Sequence, residues 1–197
     1  FRILSPGAHF AMNGLGVLAT VEALGGDSAL AAIALGHWHP GRGRGASEVI
    51  ALDRADERLS LRLYDDSYNA NPASLVAALE MLAAAPEGRR VAYLGDMLEL
   101  GTEAADLHRA LAKHPAMAAV DRVHAIGPLM RLMWQTLPQD KRGRYCATSD
   151  EMAQGVRHDL KPGDVVLVKG SLSMKLVHVV DALRKMGQVT PKREGTE

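Results

Sequence analysis

The chain has 197 residues, of which 47% are apolar and only 4% aromatic, so aliphatic and alanine side chains must fill its core. Lys and Arg number 23 and Asp and Glu number 23, and this zero formal charge gives no electrostatic reason to expect a nucleic acid or an anionic membrane as partner. The single cysteine, Cys146, excludes an internal disulfide and favours a reducing compartment and a buried structural thiol.

The N-terminal part predicts a short strand followed by two helices. The strand is expected at 1–4, and apolar residues that recur every three positions predict a helix over 9–24. A second helix is predicted over 28–35, and the Gly- and Pro-rich loop at 37–45 marks a domain boundary. The chain has no initiator Met, no signal-peptide pattern and no apolar run of about 18 residues, so we expect neither secretion nor membrane insertion, and a start within a longer protein.

Beyond the boundary, strand and helix patterns alternate. Strands are predicted at 47–52, 59–64, 91–95, 122–127, 144–148 and 165–169, and helices at 72–85, 102–113, 128–137, 149–160 and 171–185. This alternation predicts an α/β fold with a Rossmann-like, mostly parallel sheet covered by helices on both faces. We expect functional loops at the carboxyl edge of that sheet. From Gln188 onward the chain is polar and predicts a flexible tail.

Three polar clusters follow predicted strands. The first, DDSYNANP at 65–72, carries more carboxylates, hydroxyls and amides than a helix cap needs, and it suits a polar ligand as well as a decorated turn. The second, LGDMLELG at 94–101, offers two carboxylates for an ammonium group or a metal ion, or a glycine turn with a capping acid. The third, Lys169-Gly170-Ser171, is a candidate anion site but a weak pattern.

Two further groups precede these clusters. His9 and Asn13 lie four residues apart on one helical face, where an amide could contact a base or simply face solvent. Arg42 and Arg44 in the boundary loop could reach a nucleotide or remain solvated linker charges. The other histidines show no ligand spacing that would predict a zinc site.

These segments together resemble the Mur ligase family. The resemblance rests on DDSYNANPAS, LGDMLELG, VVLVKGS and GAHFAMNGLGVLATVEALGGD followed by PGRG, which run in the family's order from about Gly7 to Leu183. The chain departs from the family at Phe10, where many members have Asn, and at Leu172-Ser173, where many have Arg-Gly. No GxxxxGK[ST] phosphate-binding loop occurs in the chain.

The resemblance implies a division into three parts. Residues 1–40 would be the end of the central ATP-binding domain, 41–187 the family's C-terminal domain, and 188–197 a flexible tail. The missing N-terminal and central domains would hold the UDP-binding site, the phosphate-binding loop and the Mg²⁺ ligands. The chain alone is therefore expected to be inactive.

The resemblance also implies an activity in the bacterial cytoplasm. ATP with Mg²⁺ would activate the carboxylate of UDP-MurNAc-tripeptide as an acyl phosphate, which the amine of D-alanyl-D-alanine attacks to give the peptidoglycan pentapeptide precursor. The alternatives are a sister amide ligase of the folylpolyglutamate type, which should carry a DGAHNP-like motif instead of DSYNANP, or a binding module without catalysis. The resemblance assigns the following roles: catalysis to Asn69, Asn71 and Asp96; nucleotide binding to His9, Asn13, Arg42 (with Arg44 as the alternative) and Asp66; substrate binding to Ser67, Tyr68, Glu99, Lys169 and Ser171.

Overall fold

The computed structural model describes residues 1–53, 55–56, 58–85 and 88–190. Its helices are α1 (Ala8–Ala23), α2 (Ser28–Leu35), α3 (Pro72–Ala83), α4 (Ala104–Leu111), α5 (Pro128–Thr136), α6 (Ser149–Asp159) and α7 (Val177–Arg184). Its strands are β1 (Ala46–Ala51), β2 (Ser60–Asp66), β3 (Arg90–Gly95), β4 (Arg122–Ile126), β5 (Arg142–Cys146), β6 (Val165–Lys169) and β7 (Gln188–Thr190). Among the described residues, no helix combines the length and hydropathy needed to cross a membrane.

The seven strands form one sheet in the order β5-β4-β3-β6-β2-β1-β7. The five strands from β5 to β2 are parallel, while β1 pairs antiparallel with β2 and β7. Because β6 lies between β2 and β3, the loops that follow these three strands meet at one carboxyl edge. The predicted α/β class with a mostly parallel sheet is confirmed.

Helices cover both faces of the sheet because the central strands are apolar on both sides. Along β3, Ala92 and Leu94 pack with α3 and α5, whereas Val91 and Tyr93 pack with α6 and α7. Side chains alternate between the faces of a strand, so two separate apolar clusters result. By contrast, α1 and α2 contribute only Phe10 and Gly14 to the buried residues.

Several predicted elements need correction. Residues 1–4 form no strand in the structure. The last predicted helix is divided into a 3₁₀ turn and α7, because Lys175 adopts a left-handed conformation with φ 53° that an α-helix cannot continue through. Gln188 does not begin a tail: Gln188–Thr190 adds β7 to the otherwise unpaired edge of β1. The rest of the predicted tail, 191–197, lies outside the described residues.

A buried polar cluster joins β3, β4, β5 and α6. The ring of His124 stacks on Tyr93 with centroids 4.5 Å apart, and its Nδ1 accepts a hydrogen bond from the backbone N–H of Arg144. Asp159 accepts hydrogen bonds from the Tyr93 hydroxyl and the Arg144 guanidinium. Burial lowers the pKa of His124 to about 4, although the Asp159 carboxylate opposes this shift.

The depressed pKa of His124 predicts a loss of stability in acid. An unfolded histidine has a pKa near 6.5, so between about pH 6.5 and 4 the unfolded chain binds a proton that the folded chain excludes. The free energy of unfolding, measured with urea, should therefore fall by about 1 kcal/mol per pH unit across this window. His124→Phe keeps a ring on Tyr93 and should show a shallower slope, while replacing the exposed His158 should not. An unchanged slope in His124→Phe would contradict the prediction.

Candidate functional site

A cavity of about 590 Å³ lies where α1 and the boundary loop meet the carboxyl edge of the sheet. It brings together seven of the residues predicted from the sequence: His9, Asn13, Asp66, Tyr68, Asn69, Asn71 and Lys169. They come from α1, from the segment after β2 and from the end of β6, which are remote in sequence. The strand order explains their meeting, because Asp66 pairs with Lys169 across the ladder between β2 and β6.

The boundary loop forms one wall of the cavity and is fixed to the segment after β2. The backbone N–H of Tyr68 donates to the carbonyl of Gly43, and the N–H of Gly45 donates to the carbonyl of Asp65. The guanidinium of Arg44 lies 4.1 Å from the centroid of the Tyr68 ring, a cation–π contact. A Cβ on Gly43 would lie 3.0 Å from the Cβ of Tyr68, so glycine permits this close approach.

The structure places Arg44, not Arg42, in this cavity. Arg42 instead lines a smaller cavity of about 330 Å³ on the other side of the boundary loop, together with Lys175 and Arg184. Gly43, which lies between the two arginines, has φ 72°, so the segment is not regularly extended there. The sequence analysis preferred Arg42 and kept Arg44 as the alternative, and the geometry favours the alternative.

Two aromatic residues of the cavity were missed from the sequence. Trp38 and Phe10 line it, with their ring centroids 5.7 Å apart, and Phe10 also lies 4.1 Å from the ring of His9. Trp38 is 42% exposed. A tryptophan that stays partly exposed within a Pro- and Gly-rich loop was the available signal, because such a residue has an apolar face to cover.

In the first cluster, local hydrogen bonds occupy several polar groups. Asn71 caps α3: its side-chain oxygen accepts from the N–H of Ser74, and the Ser74 hydroxyl accepts from the N–H of Asn71. Ser67 lies outside the main cavity, and its hydroxyl donates to Asp65 at 2.6 Å. The side-chain oxygen of Asn69 accepts from the N–H of Ala70. Within the described part of the chain, the side-chain amide N–H groups of Asn69 and Asn71, which line the cavity, donate no hydrogen bond.

The second cluster does not reach the cavity. The Asp96 carboxylate is 2% exposed and accepts hydrogen bonds from the N–H groups of Leu129 (3.2 Å) and Met130 (2.6 Å), so it caps the start of α5. Burial raises the pKa of Asp96, while these backbone donors and nearby His108 oppose the shift. Glu99 is exposed and adopts a left-handed conformation with φ 62°.

Ser171 ties the second cluster to the third. Its N–H donates to the carbonyl of Asp96 at 3.0 Å, and its hydroxyl accepts from the N–H of Leu98 at 2.9 Å. Ser171 is 6% exposed and does not line the cavity. His108, which the sequence analysis did not single out, supports the same loop by accepting from the N–H of Met97 at 3.0 Å.

Lys169 lies at the cavity, but its ammonium group is already engaged. It donates to Oδ2 of Asp66 at 2.5 Å and to the carbonyl oxygen of Asn69 at 2.9 Å. Asp66 uses one carboxylate oxygen for this contact. Within the described part of the chain, its other oxygen, Oδ1, accepts no hydrogen bond.

The fold and the site define an α/β domain with a cavity between its boundary loop and the carboxyl edge of its sheet. The family model described as "Mur ligase, glutamate ligase domain" matches residues 52–172. The chain therefore belongs to the Mur ligase family, as the resemblance predicted.

Curated relatives and a solved structure agree with this family. UDP-N-acetylmuramoyl-tripeptide–D-alanyl-D-alanine ligase of Escherichia coli is 32% identical over 186 residues, covering 92% of this chain and 38% of the relative. The Rickettsia prowazekii enzyme of the same name is 30% identical over 173 residues, covering 88% of this chain and 37% of the relative. The structure of MurF ligase from Thermotoga maritima in complex with ADP superposes with a TM-score of 0.69 at 23% identity, covering 86% of this chain and 36% of that one. The chain thus spans under two fifths of the length of these proteins.

Proposed function

We propose that this chain is the C-terminal part of an ATP-dependent ligase that joins D-alanyl-D-alanine to UDP-MurNAc-tripeptide in the bacterial cytoplasm. The observation that carries the proposal is the cavity, which gathers residues of α1, the boundary loop and the ends of β2 and β6. The support from relatives is that two curated bacterial proteins matching most of this chain bear the name of that ligase.

The cavity suits the nucleoside end of ATP. Aromatic walls from Trp38 and Phe10 can cover a base, and the exposed amide of Asn13 can hydrogen-bond to its edge. Nδ1 of His9 is buried, and within the described residues it has no hydrogen-bond partner. Oδ1 of Asp66 can accept from a ribose hydroxyl, and Arg44 supplies positive charge for a phosphate.

The phosphate and metal chemistry is assigned to parts outside this chain. The sequence contains no GxxxxGK[ST] loop, and the described residues hold no group of three or more His, Cys, Asp or Glu side chains that could bind a metal ion. Because the chain has no such loop, we propose that the 197 residues alone release no phosphate from ATP.

In the reaction, this domain positions the attacking amine and excludes water from the acyl phosphate. An acyl phosphate is lost if water reaches it, and an amine held at near-attack distance can lower the barrier by roughly 7–11 kcal/mol. A domain that carries the dipeptide and closes over the bound nucleotide would both exclude water and hold the amine at near-attack distance. The amide donors of Asn69 and Asn71 and the hydroxyl of Tyr68 are the groups at the cavity that can contact the reacting end. Glu99, Asp96 and Ser171 do not line it.

The proposal predicts acceptor-dependent phosphate release. The chain would be joined to the preceding domains of the Escherichia coli relative and supplied with ATP and UDP-MurNAc-tripeptide. We expect release with D-alanyl-D-alanine and none with L-alanyl-L-alanine or L-glutamate. The chain without the added domains is the control and should release nothing. Release that depends on glutamate instead would favour the folylpolyglutamate type, and stereochemically indifferent release would contradict the proposed acceptor.

A further inference from the structure

Lys169 is the buried cation of the site. Its side chain is 2% exposed, and its backbone lies at the end of β6 between Asp66 of β2 and Leu94 of β3. Removing an ammonium group from water costs several kcal/mol unless charge and hydrogen bonds compensate. Apolar side chains of similar volume often replace buried ion pairs at no loss of stability. Stability alone is therefore a weak reason for a lysine here.

The main effect of the Lys169 contacts is to fix the position of the 66–71 segment. Joining β6 to β2 is secondary. Its ammonium group holds the Asp66 carboxylate and the Asn69 carbonyl, which lie at the start and in the middle of the 66–71 segment. The ion pair reaches one oxygen of Asp66 and leaves Oδ1 without a hydrogen bond among the described residues. The Asp66 side chain keeps 23% of its surface exposed at the cavity. Because the carboxylate is held through Oδ2, the direction in which Oδ1 points is also fixed.

We propose that Lys169 is a positioning residue that orients Asp66 and the 66–71 segment, so that Oδ1 accepts a hydrogen bond from a hydroxyl-bearing ligand such as the ribose of a nucleotide. This differs from the role that the family resemblance implies for Lys169, a direct contact with the substrate. Two of the three donors of the ammonium group are already engaged by Asp66 and Asn69, and the side chain is only 2% exposed. The choice of ribose rests on the proposed function, whereas the orientation of the segment does not.

Amide hydrogen exchange in the 197-residue chain tests the orientation without any ligand. In Lys169→Met, we expect the amides of Tyr68 and Ala70 to exchange about tenfold faster, because their segment loses two hydrogen bonds. The amides of β6 at 166–168 should be unchanged. Lys169→Arg should restore slow exchange, since it keeps the charge and donors, and Asp66→Asn serves as a milder variant if Lys169→Met folds poorly. Unchanged exchange at Tyr68 and Ala70, or equally faster exchange in β6, would overturn the positioning role.

A nucleotide titration then tests the ligand. The wild-type chain should bind ADP more tightly than 2′,3′-dideoxy-ADP by about tenfold, and Lys169→Met should remove this difference while still binding both. If wild type and Lys169→Met prefer ADP over 2′,3′-dideoxy-ADP by the same factor, Lys169 does not orient Asp66 towards the ribose, and the inference is wrong even though nucleotide binds. A wild-type chain that binds neither nucleotide would count against the proposed nucleotide site, and the exchange experiment would still decide whether Lys169 orients the segment.

Discussion

Replacing Asp96 by alanine is expected to lower the free energy of unfolding of the chain by about 2 kcal/mol. The carboxylate is buried and satisfies the N–H groups of Leu129 and Met130 at the start of α5. Alanine would remove the acceptor of both donors, and the loss of such a helix cap costs about 0.5–2 kcal/mol. The measurement is urea unfolding of the 197-residue chain.

Asparagine at the same position separates the structural role of Asp96 from a catalytic one. Asparagine keeps one acceptor oxygen, whereas Asp96 uses Oδ1 for Met130 and Oδ2 for Leu129, so Asp96→Asn should lose about 1 kcal/mol, less than Asp96→Ala. Under the catalytic role predicted from the sequence, asparagine would instead fold normally and abolish phosphate release in the extended ligase. If Asp96→Ala were as stable as wild type while both variants lost activity, the capping explanation would be wrong and the catalytic prediction would return.

The helices and strands after the boundary loop were predictable because each carries its own local signal. The helix over 72–85, for instance, shows proline near its first turn and a capping asparagine, and the structure has both in α3. The short strand predicted at 1–4 is wrong because three apolar residues among four cannot by themselves create a partner strand to pair with. The β7 strand was missed for the opposite reason: its partner, the edge of β1, makes a polar segment extended.

The meeting of the clusters at one edge was predictable, but the membership of the cavity was not. In a parallel sheet built from alternating strands and helices, the loops that follow the parallel strands lie at the same edge. Only the observed order, with β6 between β2 and β3, puts Lys169 beside Asp66. Nothing local in the sequence encodes that order.

The residual ambiguity in the site has a chemical origin. A helix cap and a ligand site need the same groups, namely carboxylates, amides and hydroxyls near backbone N–H donors. The residue types of Asn71, Asp96 and Ser171 fit either purpose, and in the structure each holds a loop or a helix end, while the functional roles that the resemblance implies for them stay predictions. Trp38 was overlooked because a Gly- and Pro-rich loop was treated as a linker, although it forms a wall of the cavity.

Gly170 lies in close contact with Gly95, so Gly170→Ala is also expected to lower the free energy of unfolding substantially. A Cβ on Gly170 would lie 2.3 Å from Cδ1 of Leu176 and 3.0 Å from the Cα of Gly95. Leu176 is fully buried and Gly95 is backbone, so neither can move aside freely. Overpacking of this kind costs about 1–3 kcal/mol, and we expect about 2 kcal/mol in urea unfolding.

Gly16→Ala is the matched control, since a Cβ there meets nothing within 4 Å and alanine favours the middle of a helix. It should leave the free energy of unfolding unchanged or raise it by up to about 1 kcal/mol. Gly170→Ala should also displace the end of β6, which carries Lys169, and thereby speed amide exchange at Tyr68. If Gly170→Ala unfolds like the control, Leu176 can rearrange and the carboxyl edge is looser than its contacts indicate. If it loses stability but Tyr68 still exchanges slowly, the ends of β3 and β6 can shift without disturbing the Lys169–Asp66 pair.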